Sequence, residues 1–228
     1  MDLLLLDLDG TVLDGSGLPA AMAAACARLA AGLPGVTAEA LVAANTAVWQ
    51  RLWPEVEDDY TLGGRRGDAI GHDAWHATLE RCGVRDEAVV ERAVAIWDEE
   101  DRAAFRLFPD VLPLLDRFPR IGMVTNGSAA VQRDKLRTLG ILERFDPLVI
   151  SSEAGVKKPD PAIFEVALAA SGASAADTWF VGDNLWHDVP GALVAGIRAI
   201  WLDRQGVPLQ PDWPQPDAVI HSLDELTP

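Results

Sequence analysis

Leu3-Leu4-Leu5-Leu6-Asp7-Leu8-Asp9-Gly10-Thr11 is the stretch on which the fold turns. Four apolar residues run unbroken and stop at a turn rich in Asp and Gly, the texture of a short strand buried on both faces of a parallel sheet. The texture then changes. From Leu18 to about Arg106 the chain is rich in Ala, Leu, Glu, Arg and Trp at helical spacing, interrupted by glycine-containing breaks at Gly32–Gly35 and Gly63–Gly67. This pattern predicts an all-helical insertion.

Beyond Pro109 strands and helices alternate. The pattern predicts strand Ile121–Thr125, helix Ala129–Leu139 stopped by Gly140, strand Leu148–Ser151, and a helix opened by Asp160 and Pro161 that ends near Gly172. Strand Trp179–Val181, helix Asp188–Ala195 stopped by Gly196, and strands Ala199–Leu202 and Ala218–His221 follow. Ser222 with Glu225 has the spacing of a capping box for a last helical turn. The run Pro208–Pro216 reads as a surface loop. Alternation of this kind means an α/β fold, a doubly wound, Rossmann-like parallel sheet with helices on both faces. The first strand belongs to that sheet, so residues 1–15 and 107–228 are expected to form the core and 16–106 a helical cap domain inserted into it.

Composition narrows the partners. The 228 residues are 49% hydrophobic and 24% charged, an ordinary globular balance, and carry a formal net charge of −16. Recognition of a phosphate backbone rests on clustered Lys and Arg, and no such cluster occurs, so nucleic acid is not expected as a partner. The same acidity opposes anionic membrane surfaces. Cys26 and Cys82 have neither CxxC spacing nor a histidine at metal-ligand distance and are expected to be buried free thiols. The Leu3–Leu6 run has no basic segment before it and reaches Asp7 too soon for a secretory leader, and Ala20–Ala31 is too short and too weakly apolar to span a bilayer. A cytoplasmic enzyme acting on a small molecule is the expectation.

In open parallel sheets ligands bind beyond the carboxyl ends of the strands. Four polar segments fall there or at a helix start: Asp7-Leu8-Asp9-Gly10-Thr11, Thr125-Asn126-Gly127-Ser128, Lys157-Lys158-Pro159, and Gly182-Asp183-Asn184 with Asp188 after it. At average residue frequencies a specified Asp-x-Asp-Gly-Thr arises by chance in a chain of this size only about a few times per thousand. In order and spacing, across the whole chain, the four segments resemble the haloacid dehalogenase-like superfamily in its phosphatase branch.

The resemblance implies a magnesium-dependent phosphatase for small phosphorylated metabolites. Asp7 would attack phosphorus to form an aspartyl-phosphate. Asp9 would protonate the leaving alcohol and later deprotonate the hydrolytic water. Asp7 and Asp183 would ligate Mg²⁺ together with the backbone carbonyl of Asp9, and Asp188 would support them. An all-oxygen set without a His/Cys cluster suits that ion. Thr125 and Asn126 would hold the phosphoryl group. Lys158 would compensate charge on the phosphate and on Asp7; it is preferred to Lys157 because it directly precedes Pro159. An acid at position 9 fits a leaving group that needs a proton, which a halide does not. A phosphosugar mutase and a catalytically silent phosphometabolite-binding protein are the alternatives.

Some residues invite two readings. Thr125 and Asn126 could cap the helix that follows, and Ser128 is expected to do so. Arg65 and Arg66, between Gly64 and Gly67, could meet an anionic substrate but read first as a solvated loop. Trp49, Trp53, Trp75 and Trp97, with His72 and His76, read as packing residues, and His187 as solvent-exposed. The expected site lies in a cleft between core and cap, whose closure would exclude water.

Overall fold

The computed structural model describes every residue from Met1 to Pro228. It divides into two compact units, Met1–Asp14 with Arg106–Pro228, and Gly15–Phe105. The first opens with β1 (Leu3–Leu6) and a two-residue strand β2 (Leu13–Asp14).

The second unit is helical: α1 (Leu18–Ala30), α2 (Ala38–Leu62), α3 (Gly67–Arg81) and α4 (Glu87–Ala104). Thr37 caps α2 and Asp86 caps α4, each side chain accepting from a backbone N–H of the first turn. The break between α3 and α4, at Cys82–Asp86, was not apparent from the sequence. Inside, Cys26, Leu29, Leu41, Trp75, Leu79, Val90 and Ala93 form one apolar cluster. Trp49 and Trp53 of α2 stack in sequence with Tyr60 rather than lining a core. Arg65 pairs with Asp73 and Arg66 with Asp68 on the solvent side. His72 bonds Glu87 at 2.8 Å. Cys26 is a buried free thiol, whereas Cys82 is only half-buried. No helix of the chain is long and apolar enough to cross a membrane.

The chain re-enters the first unit through β3 (Arg106–Leu107), which pairs antiparallel with β2. A short helix α5 (Val111–Arg117), not anticipated from the pattern, precedes β4 (Ile121–Thr125) and α6 (Ala129–Thr138). Next come β5 (Leu148–Ile150), α7 (Ser151–Ala154), α8 (Ala162–Ser171), β6 (Thr178–Gly182), α9 (Leu185–Val194), β7 (Arg198–Leu202) and β8 (Ala218–Ile220). Two expected boundaries move for local reasons. Ser151 starts α7 instead of ending β5, and its hydroxyl accepts from the Gly127 N–H. Helix α9 starts at Leu185 because Asn184 accepts from the N–H groups of both Trp186 and His187. Ser222 and Glu225 form the capping box that their spacing predicts.

The six main strands make one parallel sheet in the order β5-β4-β1-β6-β7-β8. Leu3 and Leu5 pack with Phe164, Phe180 and Trp201 on the face covered by α8 and α9. Leu4 and Leu6, which alternation sends to the other face, are equally inaccessible. Each such leucine contributes about 1.5–3 kcal/mol, which explains the unbroken apolar run. The strand order reverses at β1, with β4 and β5 on one side and β6 to β8 on the other. A crevice opens at such a switch point, so the residues that follow β1 stand where a ligand is received.

Behind that crevice lies a buried polar tie. Arg204, after β7, grips both carboxylate oxygens of Asp110 at 2.9 and 3.0 Å and donates to the Thr11 carbonyl at 2.9 Å. Asp110 also accepts from the Ser222 hydroxyl and the Leu223 N–H.

Candidate active site

Asp7 emerges from β1 with its N–H donated to the Val181 carbonyl of β6, so sheet pairing holds the residue until its side chain leaves the strand. The loop then folds back: Val12 and Leu13 N–H groups both bond the Leu8 carbonyl. Gly10 makes this turn with φ +80°, and a Cβ there would lie 2.2 Å from an Asp183 carboxylate oxygen. The left-handed conformation and the lack of space both require glycine. Thr11 is buried and joins the two loops, its hydroxyl accepting from the Asp183 N–H at 3.0 Å and approaching Asp183 Oδ1 at 3.3 Å. Trp201 donates its indole N–H to the Asp183 carbonyl.

Three carboxylates converge: single oxygens of Asp7, Asp183 and Asp188 all lie within 4.8 Å of one another. Lys158 reaches between two of them, donating to Asp7 Oδ1 and to Asp188 Oδ1, each at 2.6 Å. Asp188 spends its other oxygen on the Asn184 N–H, and a Cβ at Gly182 would strike that carboxylate at 2.1 Å. Lys158, and not Lys157, is the lysine buried between these acids.

Asn126 serves Lys158. Its amide nitrogen donates to the Lys158 carbonyl and its oxygen accepts from the Lys158 N–H, at 2.9 and 2.8 Å. The side chain expected at the phosphoryl group therefore fixes the backbone that carries the lysine. Ser128 occupies the N-cap position of α6 but makes no side-chain cap; Ser152 does this work, accepting from the Ala129 N–H. Thr125 is buried at the end of β4.

Asp9 turns its carboxylate away from the three acids. Lys135 of α6 grips both oxygens, at 2.7 and 2.9 Å, and Gln132 donates to Oδ2 at 3.0 Å. Partial burial would push the Asp9 carboxyl upward, but the Lys135 charge and the Gln132 bond outweigh it and hold the group below its ordinary carboxylate value. Neither α6 residue was singled out from sequence. The available signal was Gln132 itself, a polar residue four positions before buried Leu136 and so on the apolar face of the helix.

A family model described as haloacid dehalogenase-like hydrolase matches residues 1–196. The chain belongs to that family. The hydrolase is 33% identical to a phosphoserine phosphatase of Thermus thermophilus, over 99% of this chain and 98% of the relative. Among solved structures it resembles a 2-haloacid dehalogenase from Pseudomonas syringae, with 28% identity, a TM-score of 0.68, and coverage of 98% of this chain and 95% of the other. It also resembles the hydrolase YfnB from Bacillus subtilis bound to magnesium, at 25% identity and a TM-score of 0.65, with the same coverages.

Charge balance says what the hydrolase lacks for neutrality. Three carboxylates face one ammonium, and burial, with Asp188 and Asp183 adding to it and Lys158 opposing, pushes Asp7 up to about 8. Burial and Asp188 likewise lift Asp183 to about 6. Burial alone would lower Lys158, yet Asp188 and Asp7 raise it, so the lysine stays charged and the deficit is one of positive charge. A divalent cation held by hard oxygen donors fits that deficit, and no sulfur or imidazole stands among the three.

Proposed function

We propose that the chain hydrolyses small phosphate monoesters with Mg²⁺ bound by Asp7, Asp183 and the Asp9 backbone carbonyl, supported by Asp188. The chain is a phosphatase of the haloacid dehalogenase-like family. The convergence of Asp7, Asp183 and Asp188 around Lys158 carries the reading, because a nucleophile, a cation site and a fixed counter-charge meet at one strand end.

Mg²⁺ would supply neutralisation of the phosphoryl charge that otherwise repels a carboxylate nucleophile. The chain's own residues do the rest. Asp7 attacks phosphorus, the ester oxygen leaves, and an acyl phosphate forms on the Asp7 carboxylate. Asp9, half-exposed and two residues on, is the acid/base of this reading: it must take up a proton against the hold of Lys135 before giving it to the leaving oxygen, and it then takes one from the water that releases phosphate. Thr125 donates its hydroxyl to a phosphoryl oxygen, and Lys158 compensates charge on Asp7 throughout.

The dehalogenase likeness favours a second reading, haloacid hydrolysis at the same aspartate. Asp9 speaks against it, since a departing halide takes no proton. The substrate is read as a soluble phosphorylated metabolite, with phosphoserine a first candidate from the Thermus thermophilus relative. The helical unit Gly15–Phe105 is read as a cap that selects the leaving group. The test is a panel of phosphorylated metabolites and 2-chloropropionate, assayed for phosphate and chloride. Mg²⁺-dependent phosphate release without chloride release supports the phosphatase; chloride release alone overturns it.

A further inference from the structure

Gln132 is buried, and its amide nitrogen lies within hydrogen-bond reach of three oxygens: Thr125 Oγ1 at 2.8 Å, Asp9 Oδ2 at 3.0 Å and the Asn126 carbonyl at 3.1 Å. A carboxylate and a carbonyl have only lone pairs to offer, so the amide must present its nitrogen to this trio. Its own oxygen, turned the other way, is buried with no partner. An orphaned acceptor of this kind is destabilising, and an apolar side chain of equal length would fill the space without it. Packing therefore does not account for a glutamine here.

The bonds themselves account for it. A threonine hydroxyl has one proton, and because Thr125 Oγ1 accepts from Gln132 that proton is kept for another acceptor: the Asn126 carbonyl takes it over a long 3.5 Å, a bond that a phosphoryl oxygen would replace. One helical turn on, Lys135 stands on the same face of α6 and closes on both oxygens of Asp9. The Asp9 side chain is 48% exposed, and an ion pair with so open a partner adds little to stability. What the pair fixes is the place of the carboxylate.

We propose that Gln132 and Lys135 are positioning residues for phosphoryl transfer: one face of α6 aims the Thr125 hydroxyl and holds the Asp9 carboxylate. Neither touches the reacting atoms; both act through residues that do. The proposal rests on the phosphatase reading of the same site. It assigns α6 a task that the segment's sequence, an ordinary amphipathic helix, does not announce.

The test compares kcat/KM for an alkyl phosphate and for p-nitrophenyl phosphate with Mg²⁺ present. This ratio covers the steps through ester cleavage, and the nitrophenolate leaves without needing a proton whereas the alkoxide needs one. Lys135→Met is expected to lower the alkyl ratio by about tenfold or more and the aryl ratio far less. Lys135→Arg should regain most of that loss, and Gln132→Met should lower both ratios because Thr125 acts on either ester. In an Asp9→Asn background Lys135→Met should cost almost nothing further, as expected of residues acting as a unit. Lys135→Gln serves equally should the methionine variant not fold. Equal losses on the two esters in Lys135→Met, an undiminished Lys135→Met loss in the Asp9→Asn background, or unchanged ratios in Gln132→Met overturn the proposal and leave the phosphatase intact. No turnover of either ester by the unaltered protein overturns the phosphatase reading itself, and this proposal with it.

Discussion

The two units of the molecule place their charges differently. In the helical unit the charged pairs lie outside, as with Arg28 between Glu99 and Glu100 or His72 beside Glu87, while the buried polar side chains, Asn45, Thr61 and Thr78, are uncharged. The sheet unit has exposed pairs as well, such as Arg133–Glu153, but it alone also carries ions inside: Lys158 is buried between Asp7 and Asp188, and a partly buried Arg204 grips buried Asp110. Exposed pairs contribute little, whereas removing one partner of a buried pair strands the other in a poor solvent. The difference teaches that the sheet unit spends stability on chemistry, and that the helical unit is free to vary its surface.

The largest effect expected from this contrast falls on the buried carboxylates. Asp7→Asn should lower Mg²⁺-dependent phosphate release by about a thousandfold or more, with far-UV circular dichroism unchanged. Chelation should abolish turnover and Mg²⁺ should restore it. Without a cation the raised Asp7 and Asp183 favour the protonated fold, so they stabilise it most at low pH and lose that contribution as pH rises through about 6 and then about 8. Under the proposed ligation, Mg²⁺ would have to displace those protons. Its affinity, measured by calorimetry, is therefore expected to strengthen from pH 6 to pH 8; an affinity that weakens over that range would contradict the assigned ligands.

Next comes the polar tie behind the site. Asp110→Ala leaves a partly buried Arg204 without its partner and should cost about 1–3 kcal/mol in denaturant unfolding. Burial acts to raise Asp110, but Arg204, the Leu223 N–H and the Ser222 hydroxyl bring it below its ordinary 3.8. A depressed carboxyl contributes stability that is present above 3.8 and is lost as pH falls below it. Asp110→Asn should accordingly flatten the acid limb of a stability-versus-pH curve. The smallest change belongs to the helical unit: Arg28→Ala is expected to leave the denaturant midpoint essentially where it is, despite its two short ion pairs.

The sequence made the sheet legible because periodicity and punctuation are local. Four consecutive leucines, glycines after α6 and α8, and the Ser222 capping box each report their own surroundings. The carboxylate cluster was legible for another reason: Asp7, Asp183 and Asp188 all follow strands of one parallel sheet, and topology gathers such ends. What escaped was contact across elements. Gln132 and Lys135 look like polar residues of any amphipathic helix until Asp9 is placed against them, 123 and 126 residues away along the chain. Asp110 and Arg204, 94 residues apart, pair only because β7 ends beside α5. The bonds from Asn126 to the Lys158 backbone were likewise out of sight, because the two residues lie 32 apart along the chain. The two-residue ribbon of β2 and β3 is too short for any period to show.

The most direct measurement is acid quenching of the protein during turnover of p-nitrophenyl phosphate with Mg²⁺, followed by peptide mass spectrometry. The account predicts a phosphoryl group on Asp7, absent from Asp7→Asn and from chelated samples. Sustained turnover in Asp7→Asn, or an adduct on any other residue, would contradict it.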